Sequence, residues 1–272
     1  MPGRPFLYIL LGLWALLSLF PLAWMFLTAF VKPELIRSTS VLPVSSWSDL
    51  SLESFRVLWK HAQMGRWFLN TLLVCGVATV LHVLFDAMAG YAFACKEFAG
   101  RSVLFWLVLG TMMIPGQVLI VPMFLLMRNM GLVDTLAAVL LPSLSSPFGI
   151  FMMRQFMRNV PRDLLDAARI DGCSELGIFR RIVMPLAAPA MATLGIFVFM
   201  SSWNAFLWPL VVLFSSEKYT LAVGLATLQG KHTIDYGLLM AGAAATALPM
   251  IVAFLFMSRF VVRGLAMGAL KG

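Results

Sequence analysis

The hydrophobic positions of this chain fall into six long runs, separated by shorter stretches that carry nearly all of the charged residues. The runs cover residues 5–31, 67–95, 102–127, 135–153, 182–216 and 236–258. Only the second is interrupted, by His82 and Asp86. About 20 apolar residues in a helix cross a bilayer. The pattern therefore predicts six transmembrane helices, at about residues 6–30, 67–95, 102–127, 135–157, 186–211 and 237–260. Five prolines lie within or beside these segments and permit kinks: Pro115, Pro122, Pro142, Pro147 and Pro209.

The composition supports a membrane protein. Of 272 residues, 61% are hydrophobic and 12% are charged, whereas a soluble domain carries about 25% charged residues. The first run is too long for a signal-peptide core and has no small-residue cleavage site, so it is interpreted as a membrane helix. The prediction is an all-α integral membrane protein whose residues 1–272 form a single transmembrane domain.

The basic residues predict the orientation. Twelve Lys and Arg residues lie on one side of the six predicted helices, among them Arg4, residues 154–181 and Lys271, and eight lie on the other side. Lys and Arg are enriched in cytoplasmic connections. Both termini and the connection between helices 4 and 5 are therefore predicted to be cytoplasmic. The net charge of +8 is attributed to this topology and not to nucleic-acid binding.

Eight charged residues lie between positions 161 and 181, and residues 159–184 are called the charged element below. The sequence predicts two short helices joined by a tight turn. Asn159 is expected to cap the first helix, with Pro161 in its first turn, and Gly172 is expected to end it in a left-handed conformation. Ser174 is expected to cap the second helix, which should end or kink at Pro185.

The charged element resembles the "EAA" loop of bacterial ABC importer permeases. Residues 166–173 read Asp-Ala-Ala-Arg-Ile-Asp-Gly-Cys, and residues 179–185 read Phe-Arg-Arg-Ile-Val-Met-Pro. The resemblance implies a coupling helix that docks on a separate ATPase subunit. The implied coupling residues are Asp166, Ala167, Ala168, Arg169, Asp171, Gly172, Phe179 and Pro185. The alternative is an amphipathic helix lying on lipid headgroups, but four acidic residues in the stretch count against it.

Other segments extend the resemblance along nearly the whole chain, and they point to the carbohydrate-uptake branch of these permeases. They are Ala-Gly-Tyr-Ala-Phe-Ala at 89–94, Ser-Trp-Asn-Ala-Phe-Leu-Trp-Pro at 202–209, and the C-terminal residues 260–272. Cys95 and Ala205 depart from the family pattern, which has Arg and Glu there. The resemblance implies a permease of the bacterial inner membrane that works with a second permease, ATPase subunits and an extracytoplasmic solute-binding protein. No phosphate-binding motif occurs in this chain, so ATP and Mg are expected on the ATPase partner.

Two sets of residues are candidates for contacts during transport. Aromatic rings stack on sugars and amides bond their hydroxyl groups, which predicts a translocation path lined by Trp203, Asn204, Trp208, Asn70, Met113 and Gln117. For the first three, the alternative is an interfacial Trp belt with Asn in an interhelical contact. For Asn70, Met113 and Gln117, packing is favoured over a pore-lining role. The loop after the fifth helix resembles the part of the family that reaches the binding protein, which implies contacts from Tyr219, Gln229, Gly230 and Lys231.

Asp86 is the only acidic residue inside a predicted span, and His82 lies one helical turn before it. A structural contact is favoured over a proton relay. A self-contained proton-coupled transporter remains a less favoured alternative, and an importer of glycerol phosphate or glycerophosphodiesters remains open. No catalytic residues and no metal site are predicted, and the sequence does not identify the substrate.

Overall fold

A computed structural model describes residues 4–36, 46–61, 63–228 and 235–269. These residues fold into α-helices joined by turns and short 3₁₀ segments, with an isolated β-bridge between Val31 and Leu50. The helices are α1 (Arg4–Ala29), α2 (Pro33–Ile36), α3 (Glu53–His61), α4 (Met64–Cys95), α5 (Arg101–Gly110), α6 (Ile120–Asn129), α7 (Leu136–Leu140), α8 (Pro147–Met157), α9 (Arg162–Ile170), α10 (Glu175–Ile178), α11 (Met184–Trp203), α12 (Leu207–Val212), α13 (Leu221–Thr227) and α14 (Tyr236–Ala269).

Among the described residues, four helical segments are each long and apolar enough to cross a bilayer. They are Phe6–Ala29, Met64–Cys95, Glu175–Trp203 and Tyr236–Leu255. Two further pairs pass the same test together but are bent. Arg101–Met113 and Gly116–Asn129 meet at 92°, and Leu136–Ser143 and Pro147–Met157 meet at 47°. The number of spans is six when each bent pair is counted as one.

The bends lie in the third and fourth predicted spans, where the sequence permits kinks at prolines. The first bend contains Pro115, and the second lies between Pro142 and Pro147. Proline has no N–H to donate and its ring clashes with the preceding turn, so the helix breaks at these positions. The predicted fifth span, 186–211, is also interrupted, because α11 ends at Trp203 and α12 begins at Leu207.

The chain divides into two compact units, one formed by Met1–Phe68 with Thr220–Ile251 and the other by Leu69–Tyr219 with Val252–Gly272. In the first unit, every side chain of α1 from Phe6 to Ala23 is exposed. Such a uniformly apolar and exposed helix is typical of a segment covered by lipid or by another membrane protein. The rings of Phe30 and Phe55 pack 5.0 Å apart where the chain leaves α1.

The core of the second unit lies where α4 and α8 meet the helices of the charged element and α11. Its fully buried side chains include Met153, Met157, Ile178, Val183 and Leu194. The charged element is therefore not a loose loop, because one face of it belongs to the same hydrophobic core as the membrane helices. A second cluster joins α4, α6, α7 and α12 through Val74, Met127, Val139, Val212 and Leu213.

Two glycines let α4 and α8 approach closely. A Cβ atom at Gly90 of α4 would lie 2.6 Å from the Cβ of Met153 and 2.9 Å from the backbone nitrogen of Arg154. A Cβ atom at Gly149 of α8 would collide with the carboxylate of Asp86. Close helix contacts through small residues are a general feature of membrane packing, since no hydrophobic effect drives helices together in lipid.

Candidate functional site

The backbone of the charged element follows two of the predicted signals. Gly172 ends α9 with φ of +78°, and the N–H of Cys173 donates to the carbonyl of Ala168 at 2.9 Å. This is the glycine-terminated helix end that the sequence predicts. Ser174 caps α10, since its hydroxyl accepts the N–H of Gly177 at 3.2 Å. The predictions for Gly172 and Ser174 are therefore confirmed.

Asn159 does not cap α9, which corrects the prediction for that residue. Its side-chain amide donates to the carbonyl of Gln155 at 3.4 Å, and its backbone N–H donates to Phe156. Asn159 therefore belongs to the turn that closes α8. Pro161 takes the N-cap position of α9, where it makes no side-chain hydrogen bond. Asp163 still lies in the first turn, where a carboxylate complements the helix dipole.

The helix after the turn does not end at Pro185. Helical structure is continuous from Glu175 to Trp203, and it contains a π-helical turn at Phe179–Val183. Pro185 follows at the start of α11. Because proline has no N–H for the helical ladder, the hydrogen bonding before it must rearrange, and the wider π-turn accommodates this. The second helix of the charged element and the segment that follows it thus form one continuous helical rod from Glu175 to Trp203.

Glu175 joins three side chains from two parts of the second unit. Its Oε2 accepts a hydrogen bond from the Tyr91 hydroxyl at 2.9 Å and forms an ion pair with the Lys96 ammonium. Tyr91 and Lys96 both lie near the C-terminal end of α4. Its Oε1 accepts the Nε of Arg169 in α9 at 3.1 Å. Arg169 also donates to Oδ1 of Asp166 at 2.6 Å. The hydrogen bond to Glu175, and next the one to Asp166, raise the pKa of the Arg169 guanidinium. Arg169 therefore keeps its positive charge.

The sequence did not predict that Tyr91 and Lys96 hold the charged element. Tyr91 belongs to the 89–94 segment that carries the family resemblance, but nothing in its sequence context indicates a partner 84 residues away. Lys96 contributes only to the count of basic residues. The ring of Tyr91 also packs against Phe179 with centroids 5.3 Å apart, so both ends of its side chain contact the charged element.

The predicted coupling residues divide between two faces. Ala168 and Phe179 are buried in the core, whereas Ala167 is exposed. The outward face carries Asp166, Ala167, Arg169, Asp171 and Gly172. Ile170 lies beside them with 86% of its surface exposed, although the sequence did not single it out. A single exposed aliphatic side chain is common on protein surfaces, so the distinguishing feature of these exposed positions is their concentration of charged side chains.

Beside α9 is an open cavity of about 570 Å³. It lies between the end of α4, the end of α8 and α9 of the charged element. Its charged lining residues are Lys96, Glu97, Arg158, Arg162, Asp166 and Arg169. Arg162 and Glu97 form an exposed pair across its mouth at 3.3 Å. In the described part of the chain, no group of three His, Cys, Asp or Glu side chains is arranged to hold a metal ion.

Two of the predicted path residues use their polar groups within the protein. The indole N–H of Trp208 donates to the carbonyl of Ala138 at 3.0 Å. The amide of Asn70 donates to the carbonyls of Glu217 and Tyr219 at 2.9 and 3.0 Å. These bonds anchor backbone segments, and the Asn70 amide oxygen remains as the acceptor for any other group. The path role of both residues stays a prediction.

The other four path residues differ in exposure. Trp203 is buried and stacks on Phe199 with centroids 5.8 Å apart. Asn204 is exposed and donates to the carbonyl of Met200 at 2.8 Å. Met113, which is 85% exposed, and Gln117 lie on either side of the 92° bend. A role for these residues in a translocation path stays a prediction.

The loop before α13 is held by a carboxylate. Asp134 accepts the backbone N–H groups of Phe214 and Ser215 at 2.9 Å each, the Ser215 hydroxyl at 2.5 Å and the ammonium of Lys218 at 3.1 Å. Burial alone would raise the pKa of Asp134, but these hydrogen bonds outweigh it and lower the pKa well below its ordinary range. Tyr219 donates its hydroxyl to Phe214. The other predicted contacts with a binding protein, Gln229, Gly230 and Lys231, lie outside the described residues.

Asp86 makes the structural contact that the sequence favours. It is fully buried, and it accepts the Ser145 hydroxyl at 2.5 Å and both the backbone N–H and the hydroxyl of Ser146 at 3.0 and 3.2 Å. His82 Nδ1 lies 3.3 Å from its Oδ2. Ser146 caps α8. Asp86 thus satisfies polar groups that the break between α7 and α8 leaves inside the protein.

The fold defines a class of protein: an α-helical membrane protein with bent apolar helices and a charged helix–turn–helix attached to its core. The sequence matches the family described as binding-protein-dependent transport system inner membrane component over residues 87–263. It is 40% identical to the arabinooligosaccharide transport permease AraQ of Halalkalibacterium halodurans, over 95% of this chain and 93% of that one. It is 33% identical to the lactose transport permease LacG of Rhizobium radiobacter, over 97% and 95%.

Solved structures agree with the sequence comparison. A bacterial ABC transporter involved in the import of the acidic polysaccharide alginate superimposes with a TM-score of 0.84 at 25% identity, covering 95% of this chain and 97% of that one. The inward-facing MetNI methionine ABC transporter shares the fold, with a TM-score of 0.56 at 16% identity, covering 79% and 99%. The chain belongs to the family of inner-membrane permease components of binding-protein-dependent transport systems.

Proposed function

We propose that this chain is the permease subunit of an ABC importer for a sugar, and that it forms half of the translocation path. In this proposal six helices span the bacterial inner membrane, with both termini and the charged element in the cytoplasm. A second, different permease completes the path. ATPase subunits, which bind ATP and Mg, supply the energy, and an extracytoplasmic solute-binding protein delivers the substrate.

The arrangement of the charged element carries the proposal. Its buried face belongs to the core of the second unit, and Glu175 ties it to α4 through Tyr91 and Lys96. Its outward face presents charged groups and Ile170. A partner that moves this face would therefore move α4 and the continuous rod 175–203 with it, because packed elements shift as units. An element that only rested on lipid would not need this attachment.

A neutral sugar fits the candidate path better than a phosphorylated substrate does. The candidate residues are tryptophans, asparagines, a methionine and a glutamine, and none is cationic. Aromatic faces and amides suit sugar rings and hydroxyl groups, whereas phosphate recognition generally uses Arg or Lys. Relatives named for arabinooligosaccharide, lactose and diacetylchitobiose transport also favour a di- or oligosaccharide.

The test is purification of the chain from its native membrane in mild detergent, with every retained protein identified. An ATPase, a second permease and a binding protein are expected, and the binding protein should gain thermal stability with a particular sugar. Retention of the ATPase with a binding protein stabilised only by a glycerol phosphate would replace the substrate assignment. A chain that purifies alone and moves solute in liposomes without ATP would contradict the whole proposal and favour a role for Asp86 and His82 in proton coupling.

A further inference from the structure

Three arginines come together where α5 meets the end of α8, and Arg101, Arg154 and Arg158 are called the arginine cluster. Arg154 and Arg158 are one helical turn apart at the end of α8, so they share a face. Arg101 begins α5, and Phe105 follows one turn later on the same face. The Arg154 guanidinium carbon lies 3.9 Å from the centre of the Phe105 ring. This contact brings the two faces together.

The charges of the cluster are not neutralised within the protein. Arg154 donates from Nε to the carbonyl of Phe93 at 3.3 Å, and Arg101 donates to the carbonyl of Lys96 at 2.6 Å. Both acceptors are neutral. Throughout the described part of the chain, no carboxylate oxygen lies within 4.0 Å of a cluster guanidinium. The positive charges of Arg158 and Arg101 also act on Arg154.

Three neighbouring cations differ from the cluster because each forms an ion pair with a carboxylate. Lys96 pairs with Glu175, Arg162 pairs with Glu97, and Arg169 pairs with both Asp166 and Glu175. Cations that repel one another are held together only at a cost in free energy, unless an anion joins them. The geometry therefore leaves a position for a negatively charged ligand at the cluster.

The surface beside the cluster is apolar and aromatic. Trp106 follows Phe105 on α5, with ring centroids 6.3 Å apart, and it is 68% exposed. Leu104, which precedes Phe105 and lies about 60° from Arg101 around the helix, is also exposed. Tryptophan is enriched where membrane helices pass through the headgroup layer. A ligand that fills this position would have an anionic head against the arginines and an apolar body along α5.

We propose that the arginine cluster binds the phosphate of an anionic phospholipid, with the acyl chains lying against α5 beside Trp106. Guanidinium groups present planar pairs of N–H donors that match phosphate oxygens. Basic pockets between membrane helices are known sites for anionic lipid headgroups. An acidic segment of a soluble protein would match the charges but would leave the apolar wall of α5 uncovered. This site goes beyond the transport function, and it does not depend on the identity of the transported sugar.

The experiment compares lipid retention by native mass spectrometry. The full-length chain, purified with its bound subunits, is mixed with phosphatidylglycerol or phosphatidylcholine of identical acyl chains. Arg158→Gln should reduce retained phosphatidylglycerol about fivefold, since each arginine near a membrane surface contributes on the order of a fivefold change in affinity. Phosphatidylcholine retention should not change. The matched control is Arg128→Gln, which removes the same charge from the exposed last turn of α6.

A second variant tests whether the ligand is a lipid. Trp106→Ala should also reduce phosphatidylglycerol retention, because the ring contacts the lipid, whereas a site for a soluble anion would not respond. Equal retention in Arg158→Gln and in Arg128→Gln would overturn the proposal. Displacement of the lipid by an equal concentration of inorganic phosphate would also overturn it, because the cluster would then bind phosphate without acyl chains. If Arg158→Gln does not fold, as judged by its melting temperature in phosphatidylcholine, Arg101→Gln replaces it.

Discussion

The buried carboxylate of Asp86 in α4 accepts the backbone N–H of Ser146 at the start of α8, across 60 residues of sequence, at 3.0 Å. With the two serine hydroxyls, this contact anchors the point at which the fourth predicted span breaks. An acidic residue inside a membrane helix here has a packing role. It supplies the acceptor that a broken helix requires in a medium without water.

Gly149→Ala should destabilise the protein by about 2–4 kcal/mol, because the added Cβ would collide with the Asp86 carboxylate and separate it from its partners. Gly76→Ala in α4 is the matched control, since a Cβ atom there meets nothing within 4 Å. That change should be neutral or stabilise the helix by up to about 1 kcal/mol. Thermal unfolding of the two purified variants measures the difference. Equal melting temperatures would contradict the close approach of α4 and α8.

Gly172→Val should lower sugar uptake per ATP hydrolysed, because a β-branched residue resists the left-handed conformation and should displace α10 from α9. The left-handed state costs an L-residue about 1–2 kcal/mol. Gly131→Val is the control, since Gly131 has φ of +68° and equally free surroundings in another turn. Reconstituted transporters are assayed for uptake and hydrolysis together. The same loss of coupling in both variants would show a general effect of strain.

Glu175→Gln should uncouple ATP hydrolysis from uptake while lowering stability by less than about 1 kcal/mol. The stability effect is small because the Glu175 side chain is 48% exposed, and such ion pairs contribute little. The coupling effect is larger because Glu175 is the only described residue that pairs with both Lys96, which directly follows α4, and Arg169 of α9. Glu97→Gln, which breaks a largely exposed pair with Arg162, is the control and should keep normal coupling.

Cys173 reports the side of the membrane on which the charged element lies. It is exposed at the turn, whereas Cys75 is buried and Cys95 is partly buried. A membrane-impermeant maleimide should therefore label inverted vesicles and not intact spheroplasts, and Cys173→Ser should abolish that labelling. Labelling of spheroplasts at Cys173 would reverse the proposed orientation, and the exposed turn would then not be available to an ATPase.

Asp134 should make stability depend on pH. Because hydrogen bonds in the folded protein lower its pKa, its contribution is complete above the unfolded pKa of about 3.9 and is lost as pH falls toward the folded value. The melting temperature of Asp134→Asn should lie below that of the unmodified protein at pH 7, and the difference should begin to shrink as pH falls from about 4 to 3. A difference that stays constant over this range would mean that the carboxylate charge does not matter at this loop.

The breaks in the predicted spans show how far local sequence signals extend. The prolines indicate where kinks are permitted, but they do not determine whether a helix bends. The chain bends by 92° at Pro115, whereas the helix continues without a break through Pro185. The difference arises from the surroundings. A π-turn can absorb the missing donor when the helix is packed into a core on both sides of the proline, as Val183 and Ala187 are.

The sequence by itself determined the helical membrane class, the position of the charged element, its turn at Gly172 and its cap at Ser174. These properties depend on hydrophobic length and on residues near one another in the chain, which local physics governs. Only the tertiary structure decided that Tyr91 and Lys96 hold Glu175, that Ala168 faces inward, and that Arg154 meets Phe105. Those contacts join residues about 50 to 85 positions apart, and their geometry depends on how the helices pack.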